Sequence, residues 1–263
     1  YKGTPDKPDI KIFVSHRIDL DSETIDNPLY IPVRCGAVYD ERENVDMLGD
    51  DTGDNISEKR MSFCELTVQY WAWKNVKADY YGLCHYRRYI SFAQEKVRDT
   101  DDNNHIVENT FDDDFTQKYG LIESKMITEI SKYDIISIDP VQLDRLSHQV
   151  PVSVYQSLKN NPNVFPIEAI DAFIAITKKE YPEYAADVDE YFRGYTWRAF
   201  NCYIMKAHLF NEYNEMLFHI LTLLEDQIDC TFYSQEQLRI PGYMGEALWG
   251  IFYLHQEHIG DRK

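Results

Sequence analysis

The run His85-Tyr86-Arg87-Arg88 follows the apolar stretch Tyr80 to Cys84 directly, in a chain of 263 residues with formal net charge -18. Two adjacent guanidinium groups at a strand end are the wrong sign for so acidic a surface. They are suited to bidentate hydrogen bonding of an anion. Side chains alternate along a strand, so His85 and Arg87 are expected on one side and Arg88 on the other. One arginine would then clamp a diphosphate while the other pairs with an internal carboxylate such as Glu65; alternatively, both simply neutralise neighbouring acids. His85 has no second histidine at metal-ligand spacing.

Four other groups have the chemistry of a site. Asp54-Asn55-Ile56-Ser57 precedes a helical pattern, where free N–H groups and the positive dipole end favour an anion, although ordinary capping by Ser57 accounts for the same residues. Ser15-His16-Arg17 follows an apolar run at the edge where open α/β sheets bind ligands. Trp197, beside Arg198 and Asn201, is either a core residue or a sugar platform. Glu246, after Gly242-Tyr243-Met244-Gly245, is either a first-turn acid complementing a helix dipole or a base held near a glycine-shaped pocket. The D-x-D triplets at 19–21, 99–101, 112–114 and 187–189 are expected by chance among 45 acids, and none ends a clear apolar strand.

The elements that must position these groups alternate between strand and helix. Asp9 to His16 and Tyr133 to Ile138 are buried strands by their apolar runs, as is Tyr80 to Tyr86. Tyr30 to Val38, with Pro32 and Gly36, is a shorter, irregular one. Ser57 to about Asn75 is predicted as a single helix, with Met61, Cys64, Val68, Trp71 and Ala72 on one face. Helical patterns also cover Leu121 to Ser131, Ser153 to Asn160, Pro166 to Glu180, Tyr184 to Tyr191 and Lys206 to Asp226. Tyr195 to Met205 is predicted as a strand, Arg239 to Gly245 as a loop, and Glu246 to His255 as the last helix. The alternation implies an α/β fold in a single domain from residue 9 to 263, preceded by a linker or cloning remnant at 1–8. Residues 92–119, rich in acids and without a period, are expected as a mobile insertion.

Composition narrows the function. With 44% hydrophobic and 14% aromatic residues the chain has a substantial core, yet no run reaches the ~20 apolar residues of a membrane helix. The acidic balance argues against nucleic acid as a partner. Five scattered cysteines without a C-x-x-C pair fit a reducing cytoplasm.

GDNIS (53–57), CELTVQYWAWKN (64–75), GLCHYRRY (82–89), FNCYIMKAHLF (200–210) and RIPGYMGEALWGIF (239–252) together resemble a bacterial family of capsular and exopolysaccharide biosynthesis proteins. That family was long catalogued as a domain of unknown function, is related to GT-A glycosyltransferases and includes galactofuranosyltransferases. The resemblance implies a GT-A-like, Rossmann-type nucleotide-binding sheet flanked by helices. It also implies transfer of a sugar, galactofuranose among the candidates, from a UDP-sugar to a growing glycan or lipid-linked glycan at the cytoplasmic face of the membrane. The alternatives are a retaining transferase and a non-catalytic glycan-binding protein. On the resemblance, Ser15, His16, Arg34 and Gly36 surround the nucleotide base and ribose. Asn55, Ser57, His85, Arg87 and Arg88 complete the donor site. Trp197, Asn201, Arg239 and Tyr243 lie on the acceptor side, and Glu246 is the base of an inverting displacement. His85-Tyr86-Arg87 occupies the position of the usual metal-binding D-x-D, so no metal ligand is assigned, dependence on Mn²⁺ or Mg²⁺ stays open, and Arg87 is the candidate for the metal's charge. Fusion to, or action with, a donor-making mutase or another transferase is a further implication.

Overall fold

In the computed structural model, residues 3–4, 7–94, 105–106, 111–145 and 150–260 are described. β1 (Ile10–His16) and β2 (Tyr30–Arg34) lie parallel, with the short β3 (Leu48–Gly49) outside β2. The chain then forms α1 (Arg60–Phe63) and α2 (Leu66–Asn75) and returns as β4 (Tyr80–His85), parallel to β1. A two-stranded ribbon, β5 (Tyr89–Ile90) with β6 (His105–Ile106), precedes α3 (Phe115–Lys118), α4 (Glu123–Ile130) and β7 (Ile135–Ser137). β8 (Val141–Gln142) leads to α5 (Val154–Lys159), α6 (Ile167–Glu180) and α7 (Ala185–Arg193). β9 (Thr196–Trp197) pairs with β8, and β10 (Tyr203–Lys206) enters the main sheet antiparallel, between β4 and β7. α8 (Ala207–Gln227) and α9 (Ile240–Ile259) close the fold.

The sheet order is β3-β2-β1-β4-β10-β7. Its strands alternate their residues between two cores, as a period of two requires. Phe13, Tyr81, Leu83, Tyr203 and Met205 face the larger core under α2, α6, α8 and α9. Ile12, Val14, Cys84, Cys202 and Ile204 face the smaller one under α3 and α4. The structure is a single α/β domain with a central sheet flanked by helices. Because β1, β2, β3 and β4 are parallel, their carboxyl ends share one edge, where His16, Arg34 and His85 terminate their strands.

Three expected elements are divided or extended. The helix predicted from Ser57 to Asn75 breaks at Cys64, which adopts φ 51°, ψ -133° between α1 and α2. The strand predicted from Tyr195 to Met205 breaks at Phe200, with φ 63°. The predicted loop Arg239 to Gly245 is mostly helix. Pro241 presets φ in the first turn of α9. Gly242 and Gly245 permit close packing, since a Cβ on Gly245 would stand 2.7 Å from Leu66 Cδ1. Glu246 is therefore well inside α9, which removes the reading of it as a first-turn acid.

Of the insertion expected at 92–119, residues 95–104 and 107–110 lie outside the described residues, as does the triplet at 99–101. Phe115 and Tyr119 are buried in the smaller core, so that part of the segment is packed.

Candidate active site

A cleft of about 550 Å³ opens at the carboxyl edge, between the end of β4, α1 and the start of α9. Strand alternation does not extend through His85 to Arg88. His85 N–H donates to Arg88 O at 3.1 Å and Arg88 N–H donates to His85 O at 2.8 Å, closing a tight turn. As a result His85, Arg87 and Arg88 all line the cleft, and Arg88 does not face away from the other two. The expected geometry, with one arginine on each side of the sheet, is corrected by that turn.

Arg88 is half-buried, its guanidinium 4.1 Å from the centre of the Phe200 ring. Arg87 has no carboxylate partner among the described residues and sits 5.5 Å over the Tyr86 ring. His85 lies among cations: burial, then Arg88, Arg87, Arg17 and Arg239, push its imidazole down to about 3. It is a neutral ring at physiological pH, with a buried Nδ1 that has no protein partner.

Opposite the arginines stands a carboxylate pair. Glu246 rises from α9 into the cleft, and burial, then the charge of Glu65, push its carboxyl up to about 8. The Phe200 backbone hydrogen bond, Arg88 and Arg239 pull the other way without offsetting burial. Glu65 Oε1 accepts a hydrogen bond from Asn201 Nδ2 at 2.9 Å, and Asn201 Oδ1 is buried without a protein partner. Cys64 and Phe200, the two left-handed non-glycine residues at the cleft, immediately precede Glu65 and Asn201. Such conformations cost on the order of 1–3 kcal/mol each. The backbone is thus strained at the two places that present the carboxylate pair and its amide.

Arg239 borders the cleft from the start of α9. Its Nε donates to Cys64 Sγ at 3.4 Å, and its Nη1 donates to Glu236 Oε2 at 3.1 Å. Tyr243 OH donates to the same Glu236 oxygen at 3.3 Å. The Cys64 thiol is pushed up to about 11 by burial and then by Glu65, which keeps it protonated and a poor nucleophile.

The structure therefore gathers Ser15, His85, Arg87, Arg88, Asn201, Arg239, Tyr243 and Glu246 around one space. It places the other expected residues elsewhere. His16 is buried, with Nδ1 2.6 Å from Ser22 Oγ. Arg34 is held by Asp40 at 2.8 Å and by Met47 O. Gly36 takes φ 71° beneath the Arg60 side chain. Ser57 is not a phosphate cap: it is fully buried and donates to Asp50 Oδ1 at 2.5 Å. Asn55 Oδ1 accepts from Ser57 N–H at 3.2 Å, a local turn bond. Trp197 does not line the cleft; it borders a small separate void that also touches Tyr243 and Glu246.

Arg60 and Glu236, both lining the cleft, carried no signal in the sequence. Each is one charge among many on a polar stretch, brought in by the contact of α1 with the turn before α9. For a divalent cation, the turn that stands at the strand end is a poor host, because it presents two guanidinium groups and a neutral, buried imidazole. Among the described residues no group of three His, Cys, Asp or Glu converges as a metal-binding set.

Residues 11–257 match the family described as domain of unknown function DUF4422. The chain belongs to that family. Among solved structures, this DUF4422 domain is similar to the bifunctional glycosyltransferase WbbM in its apo form. The TM-score is 0.88 at 29% identity, over 97% of this chain and 44% of that one. The domain thus spans less than half the length of that relative. No curated protein sequence matches it.

Proposed function

We propose that this DUF4422 domain is a glycosyltransferase that moves a sugar from a UDP-sugar to a growing capsular or exopolysaccharide glycan with inversion at the anomeric carbon. The observation that carries the reading is Glu246: a carboxylate with raised proton affinity at the floor of an arginine-lined cleft, in a fold similar to a glycosyltransferase of known structure. An acid whose pKa lies near the working pH accepts a proton efficiently in the transition state. Glu246 takes the acceptor hydroxyl proton as the new C–O bond forms, and the bond from the anomeric carbon to the diphosphate oxygen breaks on the opposite face. The departing nucleoside diphosphate gains negative charge, which Arg87 and Arg88 stabilise from fixed positions at the turn. Asn201, anchored on Glu65, holds a sugar hydroxyl with its free amide oxygen.

Because the strand-end turn is unsuited to a cation, we assign the charge-stabilising work to the arginines and derive no step through Mn²⁺ or Mg²⁺. Galactofuranose as the sugar rests on the family resemblance, and a joint action with a second transferase rests on WbbM being bifunctional. Among the described residues no helix is long and apolar enough to cross a membrane; for a lipid-linked acceptor we propose peripheral contact with the cytoplasmic face.

The test is transfer from a panel of UDP-sugars, with NMR of the product's anomeric configuration and with chelator added in parallel. Inverted product formed in the presence of chelator is expected. Retained configuration would remove Glu246 as the base, and loss of activity on chelation, restored by Mn²⁺, would remove the arginines as sole charge stabilisers. Saccharide binding without UDP binding would favour a non-catalytic module.

A further inference from the structure

The cleft holds arginines that the proposed chemistry above does not use, Arg17 and Arg60 among them. Arg17 follows β1, and Arg60 begins α1; both line the cleft, as Arg87 does. They converge on one carboxylate. Arg17 donates to Asp19 through Nε at 2.8 Å and through Nη2, and Arg60 Nη2 donates to Asp19 Oδ1 at 3.1 Å. Asp19 is 47% exposed, so the arrangement is a solvent-facing bridge and not a buried lock.

Arg60 is held in place independently of Asp19. Gly36 has φ 71°, and a Cβ there would collide with the Arg60 stem at Cβ, Cγ and Cδ, so the glycine forms the seat on which that side chain lies. Arg17 lies close to Tyr86, and the Tyr86 ring also carries Arg87. Asp19 begins a D-x-D triplet, yet its carboxylate is occupied by Arg17 and Arg60, and Asp21 Oδ1 accepts from Arg42 Nη1 at 3.1 Å. The triplet is engaged with arginine, as a cation site would not be.

We infer that Arg17 and Arg60, together with Arg87, form a diphosphate clamp for which the Asp19 carboxylate is a resident counter-ion, displaced when the ligand's phosphate oxygens arrive. The inference rests on the transferase reading for the identity of that ligand. An exposed ion pair contributes little to stability, so exchanging it for an anion of higher charge that meets several guanidinium groups at once is favourable. Such a counter-ion also serves specificity. In a chain of net charge -18 the bridge keeps singly charged anions from competing, since a lone carboxylate or chloride gains little over Asp19, whereas a diphosphate gains in charge and in the number of hydrogen bonds. The role of Gly36 becomes indirect: it positions Arg60 and does not touch the ligand.

The experiment is isothermal titration of the folded domain with inorganic pyrophosphate and, separately, with UDP, at two salt concentrations. Asp19→Asn, which keeps the shape and removes the charge, is expected to bind pyrophosphate about 3-fold tighter than wild type. Arg60→Ala is expected to bind about 10-fold weaker and with a shallower salt dependence. In the Arg60→Ala background the gain from Asp19→Asn should shrink, because the two act through one bridge. Thermal unfolding of each variant verifies that it is folded. Wild-type or weaker pyrophosphate affinity in Asp19→Asn at an unchanged Tm overturns the inference, as does pyrophosphate binding unaffected by Arg60→Ala. Asp19-sensitive pyrophosphate binding with no preference for UDP leaves the clamp standing and removes the nucleotide-sugar reading, so the two failures are distinct.

Discussion

Two acids face the same sheet edge from opposite circumstances. Asp50 is fully buried and accepts four hydrogen bonds: from the Gly36 and Ala37 backbones at 2.9 Å, and from the Ser57 and Thr67 hydroxyls at 2.5 Å. It ties β2, the turn after it and the start of the first helices into one unit. Glu246 has the Phe200 backbone, Arg88 and Arg239 to favour its charged form, and burial and a like charge beside it in Glu65 against it. Burial with a full set of donors makes a carboxylate structural. Burial without them leaves the proton affinity raised and the group available for proton transfer. The number of donors delivered to each acid, more than burial itself, separates scaffold from chemistry here.

That contrast can be broken at several points. The largest effect is expected for Glu246→Gln: transfer activity falls about 10³-fold, within the usual range for loss of a general base, while the fold persists. Retained activity in a folded variant would show that Glu246 is not the base. Asp50→Ala should do the reverse. Four donors lose their acceptor, and urea unfolding should report a loss of about 3 kcal/mol or more, with kcat per folded molecule changed only a few-fold. A small stability loss would mean that Asp50 is not the tie between β2 and the helices.

Wild-type stability should also carry the signature of Glu246. Its folded carboxyl lies at about 8 and its unfolded one near the ordinary ~4.3. Between those values the folded state binds more protons than the unfolded state, so this group's contribution is full below about pH 4 and is lost as pH rises towards 8. Glu246→Gln should therefore be more stable than wild type at pH 8, on the order of 2 kcal/mol after allowance for the solvent reaching the cleft, with the difference fading by pH 5. The smallest effect concerns Glu65. Replacing it with Gln removes a like charge, and the midpoint of the pH–rate profile, expected near 8 in wild type, should move down by about one unit. An unmoved midpoint would mean that burial alone raises Glu246.

The apolar runs made the central strands legible, because Ile10 to His16 and Tyr80 to His85 are buried on both faces and so read as continuous hydrophobic segments. The long α8 was legible for the same reason, with Leu209, Tyr213, Leu217, Ile220 and Leu224 at helical spacing and all buried. Less legible were the breaks at Cys64 and Phe200. Neither residue is a glycine or a proline, and their left-handed backbones are held by tertiary packing against local preference. The helical Pro241 to Gly245 was hidden in the opposite way: glycines that look like a loop in isolation allow α9 to approach Leu66 and the α1 backbone.

The sequence by itself determined an α/β chain, a parallel edge where β1 and β4 end, and a basic run at one of those ends in an acidic protein. These are properties of short segments, governed by periodicity and local charge. Only the tertiary structure decided which charges meet. Glu65, Asn201 and Glu246 lie far apart in the chain yet share one space, and Asp19 joins Arg17 to Arg60. The same packing removed Ser57, Arg34 and Trp197 from the cleft by giving each a partner or a pocket elsewhere. A charged residue's role depends on the desolvation and neighbours it acquires in three dimensions, and neither is written in the residues on either side of it.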